Sequence, residues 1–150
     1  MYRPALLLML LIVPVAPLHA AGGVTHVRSA HDVSTTLDRL EAAAVGKGMT
    51  VFARIDHAAG AAKAGQALPP TQLLLFGNPS IGTRLMQCDR GSAIDLPLKA
   101  LAWEDAEGKV WLSYNTPDYL AHRHQLQTCA GVLDKMRSAL ASFAKAAASP

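Results

Sequence analysis

Asp56 and His57 stand side by side after the run from Met49 to Ile55. A carboxylate beside an imidazole can do acid–base work or hold a metal, because imidazole titrates near neutrality. The structural alternative is that Asp56 caps a helix begun by His57; neighbours on a strand point to opposite faces, so the two need not touch. Asn78 offers a ligand both a donor and an acceptor. The same Asn78-Pro79 pair is also a favoured helix start. Tyr114 closes another strand-like run with a hydroxyl.

His122-Arg123-His124 with Cys129 suggests a metal. Two histidines two apart share a face on a strand, but on a helix they diverge by about 200°. His124 and Cys129, five apart, also match one helical face poorly. No H-E-x-x-H or C-x-x-C accompanies them, so His122, His124 and Cys129 are an incomplete zinc or copper set. The absence of C-x-x-C-H excludes covalent haem by that signature. No GK[ST] or strand–GxGxxG–helix pattern marks a nucleotide site, so the sequence names no cofactor. Nor is there a G-x-S-x-G elbow. Ser92 or Ser113 could be paired with His57 on paper, as in any chain of this size.

Several elements must position these groups. Val24 to Arg28 reads as a first strand. A helix starting at Ser34 or Thr35, with Asp38 as an acidic capping-box partner, carries Val33, Leu37, Leu40 and Ala44 at helical spacing. It ends at Gly46-Lys47-Gly48. In the strand Met49 to Asp56, Met49, Val51, Ala53 and Ile55 alternate with Thr50, Phe52, Arg54 and Asp56. His57 to Gln66 reads as a short Ala-rich helix. Gln72 to Phe76 is a central strand, Pro79 opens a helix with Ile81, Leu85 and Met86 on one face, and Leu96 to Trp103 pairs with Lys109 to Tyr114 as a hairpin. Trp103 and Trp111 flank it, placed to stack across the two strands. Thr116-Pro117 begins another short helix. Cys129, Val132, Leu133, Met136, Leu140 and Phe143 mark a face of the last one, and its Ala-Ser-Pro end frays. Interleaved helices and strands with a hairpin predict a single α+β domain, a mostly antiparallel sheet backed by helices on one face.

The first twenty residues are expected to be a signal peptide cleaved near Ala20. Arg3 supplies the positive region, Ala5 to Val15 the apolar stretch, and Leu18-His19-Ala20 the cleavage pattern. That stretch is shorter than the ~20 residues of a membrane span and holds a proline, with a second just beyond it. The expected location is the periplasm or the secreted fraction, without stable membrane insertion after cleavage. Losing Arg3 lowers the formal charge from +3 to +2, too mild for a nucleic-acid footprint. The two cysteines, Cys88 and Cys129, could pair in an oxidising compartment or stay free and buried. Sequence does not supply the Cα separation that decides between these.

GMTVFARIDHAAGA, LPPTQLLLFGNPSIGTRLMQ, AIDLPLKALAWED and GKVWLSYNTPDYLAHRHQL together resemble the family of domains of unknown function numbered 302. The resemblance runs over 37–126, between an N-terminal strand and helix start (21–36) and a C-terminal helix and tail (127–150). It implies a compact α+β domain, often exported in bacteria, and brings a homodimer into view, but it implies no substrate. The motif positions are Asp56, His57, Gly77, Asn78, Pro79, Leu96, Pro97, Tyr114 and His124; Cys88, His122 and Cys129 fall outside the pattern. His124 thereby joins Asp56, His57, Asn78 and Tyr114 as a ligand-binding candidate. Three functions are expected in order. The first is an exported, non-catalytic accessory or binding domain, with a cleft for a small polar molecule or metal ion at the ends of the Met49–Asp56 and Gln72–Phe76 strands. The second is a small periplasmic enzyme using His57 as acid/base, and the third is a dimeric scaffold without a ligand site.

Overall fold

The computed structural model describes residues 21–150. The expected signal peptide and its cleavage point lie outside the described residues. The element order is β1 (Val24–Arg28), α1 (Val33–Val45), β2 (Thr50–Asp56), α2 (His57–Lys63), β3 (Thr71–Gly77), α3 (Pro79–Cys88), β4 (Leu98–Glu104), β5 (Val110–Asn115), α4 (Pro117–Arg123) and α5 (Ala130–Ala148). Short 3-10 turns occupy Arg90–Asp95 and Gln127–Cys129. All neighbouring strands pair antiparallel, in the order β1-β5-β4-β3-β2. This is the α+β architecture expected from the interleaved pattern.

One face of the sheet carries the core. Leu74, Phe76, Ala100, Ala102 and Leu112 project from it and are buried against Leu37, Leu40 and Ala44 of α1 and Leu140, Phe143 and Ala147 of α5. Each fully buried Leu or Phe stabilises the fold by roughly 1.5–3 kcal/mol relative to exposure. A second cluster, with Leu85, Leu120, Leu126, Leu133 and Met136, lies beneath α3, α4 and the first turns of α5. The two clusters share α5 and part between α3 and the sheet.

Four local expectations change in the folded chain. Helix α1 starts earlier, because Asp32 rather than Ser34 or Thr35 is its cap: Oδ1 accepts from the Thr35 amide at 2.7 Å. Asp38 turns away from any capping role and pairs with Arg54 of β2. The alternation of β2 is broken by a bulge between Val51 and Ala53. Val51 opposes core-facing Phe76, whereas Ala53 and Ile55 oppose Leu75 and Leu73 on the other face, and the extra residue, Phe52, is 54% exposed. Strand β4 begins after Pro97, which has no amide hydrogen to give the ladder. The C-terminal end is tied rather than frayed. The Ala30 amide donates to Ala148 O at 2.9 Å, and His31 and Arg39 donate to Ser149 O at 2.8 and 3.0 Å. These donors satisfy carbonyls that a helix end leaves without partners.

Candidate functional site

The sequence candidates are distributed over four places. Asp56 and His57 sit at the outer end of β2. The Asp56 carboxylate accepts from the Ala59 amide at 2.8 Å and so caps α2, whose residues are all at least partly exposed. Gln72 reaches it at 3.4 Å, and Arg54 donates to Gln72 Oε1 at 2.8 and 3.0 Å while holding Asp38. The corner is a polar lattice stitching β2, β3 and α1 together. His57 is exposed, and among the described residues it has no hydrogen-bond or ion-pair partner.

Tyr114 lies across the sheet, on the core face, where burial pushes its hydroxyl pKa up. It lines a groove with Val27, Ala144 and Ala148. His124 is at the end of α4, its side chain 9% exposed. Its Nε2–H donates to Asp95 at 2.6 Å, Asp89 lies 3.7 Å from Nδ1, and Arg123 pairs with the same Asp95 carboxylate at 3.4 Å. The imidazole thus clamps α4 to the turn after α3.

The proposed metal set does not assemble. Cys129 is bonded to Cys88, with Cα atoms 6.4 Å apart, within the range a disulfide needs. His124 is committed to Asp95, and His122 is exposed on the preceding turn of α4. Among the described residues no group of three or more His, Cys, Asp or Glu side chains could hold a metal. Ser113 does meet a histidine, but it is His26: Trp103 Nε1 donates to Ser113 Oγ at 2.9 Å, and Oγ lies 2.8 Å from His26 Nδ1. Trp103 and Trp111 are direct cross-strand partners, and each indole N–H goes to its own acceptor, Ser113 and Asp105. That bond lowers the Asp105 carboxyl pKa.

Asn78 borders a second, more enclosed space. Its Oδ1 accepts from the Ser80 and Ile81 amides at 2.9 and 3.3 Å, and its Nδ2 donates to Gly48 O at 3.1 Å. It therefore caps α3 and ties it to the loop before β2. Beside it opens a space of about 360 Å³ between α3, α5 and the ends of β2, β3 and β4. Ile81 and Leu85 of α3 form one wall, and Met136, Leu140 and Phe143 of α5 form the other. Small residues contribute to the room here: Gly77, Gly82, Ala93 and Ala139 all line it. A Cβ built at Gly82 meets only Leu96 Cδ1, at 3.7 Å. The Cys88–Cys129 bond and the His124–Asp95 contact fasten the far end of α3 toward α4 and α5.

Sequence reasoning missed this cavity because its lining consists of residues that read as core. One signal was present: Met49, Met86 and Met136, the only methionines beyond residue 20, all line it. Methionine recurs where an apolar surface must adapt to its contents.

A single antiparallel sheet with helices on one face and an apolar cavity at one end defines an α+β domain. The family model "Domain of unknown function DUF302" matches residues 25–143, and the chain belongs to that family. A crystal structure of an uncharacterized conserved protein DUF302 from Bacillus stearothermophilus superposes with a TM-score of 0.77 at 17% identity, covering 85% of this chain and 99% of the other; at that identity it speaks to the fold. Among curated proteins, the fluoride-specific ion channel FluC 1 of Brucella suis biovar 1 (strain 1330) is 52% identical over 122 residues. FluC 2 of Brucella melitensis biotype 1 is 52% identical over the same length. The match takes in 81% of this chain but 48% and 45% of those two proteins, so the chain spans about half the length of the curated relatives it matches. Among the described residues no helix is long and apolar enough to cross a membrane.

Proposed function

We propose that this chain is an exported, non-catalytic binding domain whose ligand occupies the cavity between α3 and α5. One observation carries the reading: a space of about 360 Å³ within the usual small-ligand range of ~300–1,000 Å³, walled by apolar side chains. Its character moves the ligand class from the small polar molecule or metal ion expected from sequence to a small apolar or amphiphilic molecule. The Asn78 oxygen caps α3 and its amide nitrogen donates to Gly48 O, and the His57 imidazole lies at another corner of the sheet. The binding assignment rests on the mostly apolar lining.

An accessory role beside a membrane protein draws support from the Brucella relatives. They are named as channels, and more than half their length lies beyond the matched region. In this reading the domain works at the outer face of a membrane after the leader is removed. Intact mass of protein recovered from the periplasm should correspond to a chain starting near Ala21; a full-length mass would remove the export part of the reading.

The cavity itself is tested by filling it. Ala139→Leu puts added side-chain volume into the space while leaving the sheet untouched. An environment-sensitive apolar dye such as 1-anilinonaphthalene-8-sulfonate should bind the unaltered protein with a saturable blue shift. Ala139→Leu should weaken that binding at least tenfold with its circular dichroism unchanged. Equal dye affinity in the two proteins would place the dye elsewhere and end the proposal.

A further inference from the structure

Resting on the cavity reading above, we infer that the natural ligand is a single-tailed amphiphilic carboxylate, its tail between α3 and α5 and its head group at the Lys135 ammonium. Among the residues lining the cavity, Lys135 carries the sole formal charge. It is an exposed residue of α5, and its side chain borders the cavity. Its place on α5 follows from helical spacing: Lys135 precedes Met136 and lies one turn before Ala139, both lining residues, so it flanks the apolar stripe. Among the described residues Lys135 makes no hydrogen bond or ion pair, in contrast to Arg54, Arg123 and Arg137, which all hold carboxylates.

The other two polar side chains at the cavity, Asn78 and Thr83, each already make hydrogen bonds within α3 or to the loop before β2. Asn78 caps α3 with its oxygen and holds Gly48 O with its nitrogen, and the Thr83 hydroxyl donates to Pro79 O at 2.8 Å. Lys135 is the charged lining side chain, and it has no partner among the described residues. No lining carboxylate would repel an anion or attract a cationic head. A fully apolar ligand would leave the lysine without a role, and a polar one would strand its hydrogen-bonding groups against the walls of leucine, methionine and phenylalanine. A tail with one anionic end satisfies both parts. The lysine stem can lie along the apolar rim while its head stays in water, as long cationic side chains do.

Decanoate, decanol and decyltrimethylammonium share one tail and differ in head charge. Isothermal titration of the intact, disulfide-bonded chain, below micelle-forming concentrations, should rank decanoate first and the trimethylammonium compound last. Lys135→Gln should weaken decanoate about fivefold, the size expected of one exposed ion contact, and leave decanol within twofold. Lys135→Arg should restore decanoate. Equal affinity for decanoate and decanol, both indifferent to Lys135→Gln, would overturn the carboxylate inference and keep the apolar cavity. Failure of all three compounds to bind would remove the cavity reading and this inference with it.

Discussion

At the α2 corner, polar side chains satisfy one another. Between α3 and α5, apolar side chains leave room. Asp56 caps α2, Gln72 reaches Asp56, and Arg54 joins Gln72 to Asp38. This corner holds the acid and imidazole that look chemically promising in one dimension, yet α2 buries nothing and His57 faces solvent. The cavity holds residues that look inert, yet it is where packing is incomplete. Functional groups advertise themselves by type, whereas a binding space is a deficit of atoms. Such a deficit arises from how distant residues fail to meet.

The comparison can be broken most forcefully at Phe143. This side chain is 3% exposed, packs edge-on against Phe76 with ring centroids 6.4 Å apart, and also lines the cavity. Phe143→Ala should cost about 3–5 kcal/mol in urea or guanidinium unfolding. A loss below about 1 kcal/mol would mean that this wall is not part of the cooperative core.

Opening the disulfide comes next. The bond between Cys88 and Cys129 closes a separation of 41 residues, so the Cys88→Ser/Cys129→Ser double variant should lose about 3–4 kcal/mol in the chain-entropy account. It should also bind the apolar dye more weakly, because the C-terminal end of α3 then loses its covalent tie to α5. A double variant that unfolds earlier yet binds unchanged would show that the cavity wall does not depend on this tie.

Two caps sharpen the contrast at smaller scale. Asp32 and Asp56 make the same carboxylate-to-amide bond, but α1 buries Leu37, Leu40 and Ala44 while α2 buries nothing. Asp32→Ala should cost about 1 kcal/mol at neutral pH. Asp56→Ala should cost less, because α2 can fray without exposing core. Hydrogen bonds from the Thr35 amide and hydroxyl lower the Asp32 carboxyl pKa. Its stabilisation is therefore present above the ordinary carboxylate pKa and lost as pH falls through the lowered one. The gap between the unaltered protein and Asp32→Ala should close in acid; a gap independent of pH would assign the effect to something other than the charged cap.

The smallest expected effect is at His57. His57→Ala should change stability by less than about 0.5 kcal/mol and leave decanoate affinity unaltered. A large loss of binding would return the site to the strand end and reverse the comparison.

Much of the architecture was legible in the chain. The 3.6-residue spacing of Leu37, Leu40 and Ala44, the continuous apolar run of β3 and the Asn78-Pro79 start all act over a few residues, and all appear where expected. What was not legible involves choices among nearby options. Asp32 rather than Thr35 caps α1, and Asp38 pairs with Arg54, sixteen residues on, a contact that no local pattern shows. The bulge at Phe52 reverses the facing of Ala53 and Ile55, since a strand with one extra residue shifts every later side chain. Among the candidates, Asn78 is brought to the cavity, while Asp56, His57, Tyr114 and His124 are dispersed.

From the sequence alone came the α+β class, the order of its elements and the family. These depend on local periodicity and on motifs carried within the chain. Tertiary structure decided that Cys88 and Cys129 meet, that His124 reaches Asp95, and that Met49, Met86 and Met136 surround one space. Each of those outcomes is a distance between residues far apart in the chain. Such distances are set only when helices and sheet pack and the two core clusters settle at their final separation.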